Sequence, residues 1–233
     1  KRSYIWAQAN KFPKPWGMHP NWQCHCEDFV IDELNKMNNV YLWNWADSFD
    51  FHFKWKEVHK IPLAFDSISY SLEEDSKFKF DCCFVGGWAD NGLNEKRNII
   101  LQYLRIFKDS GLKCGFFINR GLTHQQENNI LSNSIVSINI HDAYQQKLGL
   151  DCNERTFKSL GLCGIMVSDR VKQIENLFPS LPLAKNPEHM LSLVKEYLSK
   201  DKDDIESIKS HYRDYINENH TYIKRVQKLR GLK

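Results

Sequence analysis

Short apolar runs alternate with amphipathic helical patterns along the chain from residue 80 onward. The apolar runs predict buried strands at 80–85, 113–118, 135–140 and 164–168, with a weak edge strand at 181–184. Apolar residues at helical spacing predict helices at 94–109, 123–132, 153–162 and 170–178, a helix opened by Pro187, and two more at 203–217 and 219–230. This alternation predicts an α/β fold, a Rossmann-like doubly wound parallel sheet with helices on both faces.

Residues 1–60 follow a different pattern. They hold six of the seven tryptophans, and three prolines interrupt the early part. A helix is predicted at 27–37 and a buried strand at 40–45. Because this strand-poor segment offers too little regular structure for a core of its own, we expect its tryptophans to pack against the following domain. Residues 61–79, which end in a Ser, Glu, Asp and Lys stretch, are predicted to be a hinge or linker. Residues 80–233 then form the Rossmann-like domain.

The composition argues against several classes of protein. The 233 residues are 42% hydrophobic, which is enough for a substantial core. A net charge of +3 predicts no nucleic-acid partner. No apolar run approaches the roughly 18 residues of a membrane span. The seven cysteines lack the spacing of a disulfide framework, and several lie in apolar segments, which predicts a reducing, cytoplasmic setting. These are Cys82, Cys83, Cys114 and Cys163.

One group of residues could suggest a bound metal: His19, Cys24, His25 and Cys26. The two cysteines are separated by a single residue, a tighter spacing than the two to four residues usual in zinc sites, and no second ligand pair stands out. The sequence therefore predicts no metal site.

Candidate ligand-binding residues directly follow the predicted strands. In doubly wound sheets, ligands bind in the crevice beyond the carboxyl ends of the strands. Gly86 and Gly87 would let a backbone approach a ligand, although a tight strand-to-helix turn would use the same glycines. His141 is a candidate for orienting a phosphate or hydroxyl, or a structural histidine with an ordinary hydrogen bond, and Asp142 follows it. The same rule selects Asn119, Arg120, Asp169 and Arg170.

Residues 153–164 are predicted to form a short helix with a phosphate-binding N-terminus. Asn153 can cap the helix, and Gly164 stands where a left-handed C-terminal residue is expected. Arg155 then adds a guanidinium to the free N–H groups of the first turn, which together suit a phosphate. The alternative is an ordinary helix with a solvated arginine.

Five segments of the chain are similar, in order and approximate spacing, to blocks of the CgeB-type glycosyltransferases. The resemblance covers about residues 61–233. It implies a GT-B fold, in which two Rossmann-like domains hold a nucleotide-sugar donor mainly through the C-terminal one. Since residues 1–60 are too few for a complete acceptor-side domain, we expect a reduced or partial N-terminal part. The five segments are 61–66 (IPLAFD), 81–86 (DCCFVG), 137–141 (SINIH), 153–157 (NERTF) and 220–225 (HTYIKR).

The resemblance also implies roles for individual residues. Asn153 and Arg155 would lie at the diphosphate of the donor, and Arg97 would add charge from the first helix. The implied enzyme is hexosyltransferase-like and needs neither a bound metal nor another cofactor. The donor-binding candidates are therefore Gly86, Gly87, Arg97, Asn119, Asn153, Arg155 and Lys158, and the catalytic candidates are His141 and Asp142.

Lys158 departs from the family pattern. Related enzymes place a glutamate at this position, where its carboxylate holds the nucleotide ribose, and a lysine cannot accept hydrogen bonds from hydroxyls. The second matching position, eight residues earlier, is Leu150, which is not a glutamate either. Lys158 could reach a phosphate instead, or pair with Glu154 one turn earlier.

The sequence thus predicts a glycosyltransferase that moves a sugar from a nucleotide-diphosphate donor to a glycan or other acceptor. The chain has no G-x-G-x-x-G fingerprint, P-loop or G-x-S-x-G elbow, which argues against a dehydrogenase, a kinase or an esterase. Two alternatives stay open: a non-catalytic nucleotide- or glycan-binding module derived from a glycosyltransferase, and a nucleotide-sugar epimerase.

Overall fold

A computed structural model describes residues 1–6, 28–47, 55–74, 76–88 and 95–231 of the chain. In the first part, three strands form a parallel sheet in the order β1-β2-β3, so β2 lies in the middle. The expectation of a strand-poor N-terminal segment was therefore wrong. The elements are β1 (Ser3–Trp6), α1 (Asp28–Lys36), β2 (Val40–Asn44) and β3 (Val58–Lys60).

A five-stranded, all-parallel sheet forms the larger part of the protein. Its strand order is β5-β4-β6-β7-β8, which confirms the predicted doubly wound arrangement. The chain runs from β4 outward to β5 and then returns to β6 on the other side, so the winding direction reverses between β4 and β6. The strands are β4 (Phe80–Gly86), β5 (Cys114–Ile118), β6 (Ser134–Asn139), β7 (Met166–Asp169) and β8 (Leu183–Ala184).

Eight helices accompany this sheet in the described residues from 95 to 231. The predicted helix at 94–109 is shorter than expected, because turns replace it after residue 105. Helix α4 was not predicted, since six mostly polar residues are too few to show a helical period. The helices are α2 (Lys96–Arg105), α3 (His124–Ser132), α4 (Ala143–Leu148), α5 (Glu154–Leu162), α6 (Lys172–Leu177), α7 (Pro187–Leu198), α8 (Lys202–Asn219) and α9 (Tyr222–Gly231).

Alternate residues of β4 contribute to two different hydrophobic clusters, one on each face of the sheet. Cys83 and Val85 pack with α3, α5 and α8, whereas Cys82 and Phe84 pack with α2 and α7. This alternation is the two-residue period of a strand with both faces covered. The continuous apolar runs seen in the sequence arise because neither face of the sheet meets solvent.

The described N-terminal residues pack against the rest of the chain, as expected from their aromatic content. Trp43 donates from Nε1 to the carbonyl of Ile61 at 2.8 Å and shares a buried cluster with Ile61 and Leu229 of α9. Farther along, the amide of Asp47 donates to the carbonyl of Leu150 at 2.8 Å. The N-terminal sheet therefore contacts both the C-terminal helix and the loop before α5.

Arg225 of α9 fastens the C-terminal end of the chain to the hinge segment. Its guanidinium donates to the carbonyls of Pro62 (3.0 Å), Leu63 (3.1 Å) and Asn219 (3.1 Å), and it lies 2.8 Å from Nδ1 of His220. We call these five residues the hinge latch. The segment 220–225, one of the five family-like segments, therefore has a structural role in the described residues, because each of these contacts of Arg225 is made to the protein itself.

The hinge latch predicts a loss of stability in mild acid. Burial, and next the charge of Arg225, lowers the pKa of His220 from 6.5 to about 4. Between these values the unfolded state binds more protons than the folded state, so the free energy of unfolding falls as the pH falls through this window. Urea denaturation gives the free energy of unfolding at about pH 7.5 and at about pH 5. Between these two pH values, the natural protein should lose about 2 kcal/mol more of this free energy than His220→Gln. An equal pH dependence in both proteins would contradict the assignment to His220.

Candidate functional site

The winding direction reverses between β4 and β6. In sheets of this type, the ligand-binding crevice lies beyond the carboxyl ends of the two strands at this point. Gly86 ends β4, and Asn139 ends β6. Helix α5 begins beside both strand ends, because Arg155 in its first turn contacts residues of each. The site is therefore built by two strand ends and the N-terminus of one helix.

Arg155 bridges the two strands at this crevice. Its Nε donates to the carbonyl of Val85 at 2.7 Å, and its Nη1 donates to the carbonyl of Ile140 at 3.1 Å and to Oδ1 of Asn139 at 3.3 Å. The guanidinium carbon lies 4.7 Å from the ring centroid of Phe84. Arg155 is thus not a solvated surface arginine, since Nε and Nη1 of its guanidinium both donate to the protein.

Arg155 stays cationic at neutral pH despite this environment. Burial lowers the pKa of Arg155 to about 10, while the nearby carboxylates of Asp142, Asp169 and Glu127 act in the opposite direction. The crevice therefore holds a fixed positive charge between the ends of β4 and β6.

Gly86 and Gly87 make room for side chains of the protein. A Cβ atom at Gly86 would lie 2.2 Å from Nη2 of Arg155, and one at Gly87 would lie 2.0 Å from Oδ1 of Asn119. Asn119 adopts a left-handed backbone with φ of 52°, and its Oδ1 accepts from the amide of Trp88 at 3.0 Å. The two glycines let Arg155 and Asn119 close over the end of β4.

Gly86→Ala is expected to destabilise the protein by about 1–3 kcal/mol, because the added methyl group forces the guanidinium of Arg155 away from the strand ends. Urea denaturation measures this effect. Gly231→Ala is the matched control, since a Cβ there meets no atom within 4 Å. If Gly86→Ala is as stable as the control, the position of the Arg155 guanidinium does not require the absence of a side chain at Gly86.

Asn153 caps α5, which confirms the predicted start of this helix. Its Oδ1 accepts from the amide of Thr156 at 3.2 Å, and its Nδ2 donates to the carbonyl of Ile140 at 3.4 Å. The first amides of a helix have no intrahelical partner. In α5 the side chain of Asn153 accepts from the third of them, the amide of Thr156. Within the described residues, no acceptor is seen for the amides of Glu154 and Arg155, which lie at the positive end of the helix dipole.

Asn139 is the centre of a buried hydrogen-bond network that sequence reasoning missed. Its Oδ1 accepts from Arg155, while its Nδ2 lies 3.0 Å from Oγ1 of Thr156 and 3.3 Å from Oγ of Ser168. Ser168 in turn lies 3.3 Å from Oδ1 of Asp169. The polar residues of the apolar strand β6 were the available signal, because a buried amide requires partners on neighbouring elements.

His141 lies at the far end of this network and is fully buried. Its Nδ1 is 2.6 Å from Oδ1 of Asp169, and its amide donates to Oδ2 of the same carboxylate at 2.9 Å. Burial raises the pKa of Asp169, but the contacts with His141 outweigh it and the pKa is lowered overall. Nε2 of His141 is buried and makes no hydrogen bond with the described residues. The histidine is therefore one member of a carboxylate–imidazole pair.

Asp142 precedes α4, and its Oδ1 lies 2.9 Å from Nζ of Lys96 at the start of α2. Lys96 thus reaches the crevice, although the sequence pointed to its neighbour Arg97, which is exposed. Arg120 is also exposed, and Arg170 pairs with Glu175 at 2.8 Å. The crevice consequently gathers Arg155, Asn153, Asn139 and the Lys96–Asp142 pair.

Lys158 does not pair with Glu154, so that sequence alternative is wrong. Its Nζ lies 2.5 Å from Oε2 of Glu127 on α3 and 5.0 Å from the ring centroid of Tyr70. The Tyr70 hydroxyl donates to the same carboxylate at 2.8 Å, and burial together with this bond raises the pKa of Tyr70. The three side chains join the hinge segment, α3 and α5.

Asp151 is a buried carboxyl group that sequence reasoning missed. It lies on the loop between α4 and α5, and its Oδ2 accepts from Nε2 of Gln145 at 3.3 Å. Burial raises the pKa of Asp151 to about 6, although hydrogen bonds from Gln145 and Trp45 limit the rise. The contact with Trp45, which directly follows β2, places Asp151 where the N-terminal part of the chain meets the loop between α4 and α5.

Comparison with known protein families adds an independent observation. The family model described as glycosyl transferase-like matches residues 82–231, which is more than half of the chain. The match begins within β4 and includes every donor-binding and catalytic candidate named above. No match was found among curated protein sequences.

In the described ranges, no helix is both long and apolar enough to cross a membrane. The candidate metal ligands at residues 19–26 lie outside the described residues.

Proposed function

The chain belongs to the glycosyl transferase-like family, and we propose that it transfers a sugar from a nucleotide-diphosphate donor to a glycan or another acceptor. The observation that carries this proposal is the position of Arg155. Its cationic guanidinium lies at the start of α5, between the ends of β4 and β6. A donor diphosphate at this point would meet both the guanidinium and the positive end of the helix.

Stabilisation of the leaving diphosphate is the chemical role that the crevice suits best. Breaking the sugar–phosphate bond leaves negative charge on the nucleoside diphosphate. The fixed charge of Arg155 and the amides of Glu154 and Arg155 would stabilise that charge without rearrangement, because contacts to strand carbonyls already hold the guanidinium. We therefore propose a hexosyltransferase-like, metal-independent reaction in which these groups supply the positive charge.

We assign His141 and Asp142 as the candidates for proton transfer or hydroxyl binding. The contact of His141 Nδ1 with Asp169 supports this assignment for the histidine, because a carboxylate partner keeps the proton on Nδ1 and leaves Nε2 as an acceptor. Asp142 lies beside Lys96, with its Oδ1 2.9 Å from Nζ of the lysine, so the lysine fixes the position of the carboxyl group at the crevice. Since Nε2 of His141 is buried, a substrate reaches it only if the covering residues move.

The alternative is a non-catalytic module that binds a nucleotide or glycan. One observation favours it: Glu127, the carboxylate closest to Lys158, is already paired with that lysine and with Tyr70. A carboxylate engaged in this way has less capacity to accept hydrogen bonds from a ribose.

Release of nucleoside diphosphate from a panel of nucleotide sugars separates the two functions. We expect slow release without an acceptor, faster release with a suitable glycan, and loss of both in Arg155→Ala. Binding of nucleotide sugars without any release, across the panel, would favour the non-catalytic module. If the protein neither binds nor cleaves any nucleotide sugar of the panel, the proposed function is overturned.

A further inference from the structure

Two cysteines face each other on neighbouring strands, away from the crevice. Cys82 of β4 and Cys114 of β5 are register partners, and their sulfur atoms are 3.4 Å apart. Cys82 is fully buried, whereas Cys114, the first residue of β5, is half-buried. One cysteine of the pair is therefore partly exposed to solvent, and the other is buried beside it on the next strand.

The contact makes the two thiols chemically unequal. The hydrogen bond from Cys82 lowers the pKa of Cys114, and the same bond, together with burial, raises the pKa of Cys82. The thiolate is the reactive form of cysteine, and reactivity also requires exposure. Cys114 has a lowered pKa and is partly exposed, whereas Cys82 has a raised pKa and is buried.

The local geometry suits a cross-link. Neighbouring strands lie about 4.7–4.9 Å apart, within the range of about 4.4–6.8 Å between the Cα atoms of a disulfide. The sulfur atoms would have to approach by about 1.4 Å to reach the bond length. Among the described strands, β5 is the outer strand of this sheet and pairs only with β4, so it can move without disturbing a second described pair.

We propose that Cys82 and Cys114 form a peroxide-sensitive dithiol site that closes to an intramolecular disulfide. The Cys114 thiolate attacks one oxygen of hydrogen peroxide, the O–O bond breaks, and Cys114 becomes a sulfenic acid. The hydroxide that leaves takes up the proton that Cys114 released when it ionised, which gives the first molecule of water. The Cys82 sulfur then attacks the Cys114 sulfur, the S–O bond breaks, and the departing hydroxide takes the Cys82 proton as water. Two thiols lose two electrons, and the peroxide is reduced to two molecules of water.

Peptide mapping of the full chain tests this site. Trypsin cleavage after Lys79, Lys96, Lys113 and Arg120 gives the peptides 80–96 and 114–120, which carry Cys82 and Cys114 respectively. After treatment with hydrogen peroxide, we expect these two peptides to be joined in a non-reduced digest and separated by dithiothreitol. The link should be absent in Cys82→Ser and Cys114→Ser.

Cys83→Ser is the matched control, because Cys83 shares the first peptide but belongs to the hydrophobic cluster on the opposite face of the sheet. The link should persist in this variant. Its loss in Cys83→Ser would overturn the proposal, as would oxidation of Cys114 to sulfinic or sulfonic acid without any link. Mapping of the natural protein decides the question even if a variant with serine at a buried position does not fold.

Discussion

Arg155→Ala is expected to weaken the binding of nucleoside diphosphates by about tenfold to a hundredfold. Loss of one charge-assisted hydrogen bond to a diphosphate corresponds to about 1.5–3 kcal/mol. The structure gives a reason to expect an effect of this size: the guanidinium is already fixed by Val85 and Ile140, so little order has to be gained when the ligand binds. Calorimetric titration of each protein with nucleoside diphosphates measures the effect.

Arg155→Ala also removes contacts that support the fold, so the affinity must be compared among folded proteins. We expect a cost of about 1–3 kcal/mol in the free energy of unfolding, because two strand carbonyls lose their donor. Arg155→Lys keeps the charge without the bidentate reach, and Arg105→Ala removes the same charge from the exposed end of α2. If Arg155→Ala retains its affinity within about twofold of Arg105→Ala, the diphosphate is not bound by Arg155.

Arg225→Ala is expected to lower the free energy of unfolding by about 2–4 kcal/mol, because each hydrogen bond to a charged group contributes about 1.5–3 kcal/mol and the contributions do not add fully. The carbonyls of Pro62, Leu63 and Asn219, whose bonds to Arg225 are partly buried, would all lose their donor, and His220 would lose its neighbour. For a chain of this length, about 3 kcal/mol corresponds to a fall of roughly 6–12 °C in the melting temperature. Urea and thermal denaturation measure the change.

Arg230→Ala is the matched control for Arg225→Ala, since Arg230 lies on the same helix and is exposed. It should change stability by no more than about 0.5 kcal/mol. A similar small effect for Arg225→Ala would mean that the hinge latch contributes little to folding.

The larger sheet was predictable because its sequence signal is strong. The runs around Cys83, Ile138 and Val167 are buried on both faces, so they are apolar throughout, and long amphipathic helices separate them. Caps were also readable from the sequence: Asn153 begins α5, and Gly164 after it has the positive φ of 83° that glycine tolerates.

The N-terminal strands and the side-chain pairs were less predictable for a physical reason. β1 and β3 have four and three residues and lie at the edges of their sheet, so neither shows a clear period. The partner of Lys158 is Glu127, which lies 31 positions away on another helix. Local spacing favoured Glu154 instead, because a sequence shows neighbours along one helix but not across two. Asn139 was missed for the same reason.

Titration of the natural protein with nucleoside diphosphates and their sugars tests the central claim, that the crevice between β4 and β6 binds a nucleotide diphosphate. A ligand at about 100 times its Kd adds about 2.7 kcal/mol to the free energy of unfolding. For a chain of this length, that gain raises the melting temperature by roughly 5–10 °C. We expect such a rise with at least one nucleoside diphosphate, and a much smaller one with the same ligand in Arg155→Ala. A melting temperature unchanged by every nucleoside diphosphate and nucleotide sugar, at concentrations up to the millimolar range, would contradict the claim.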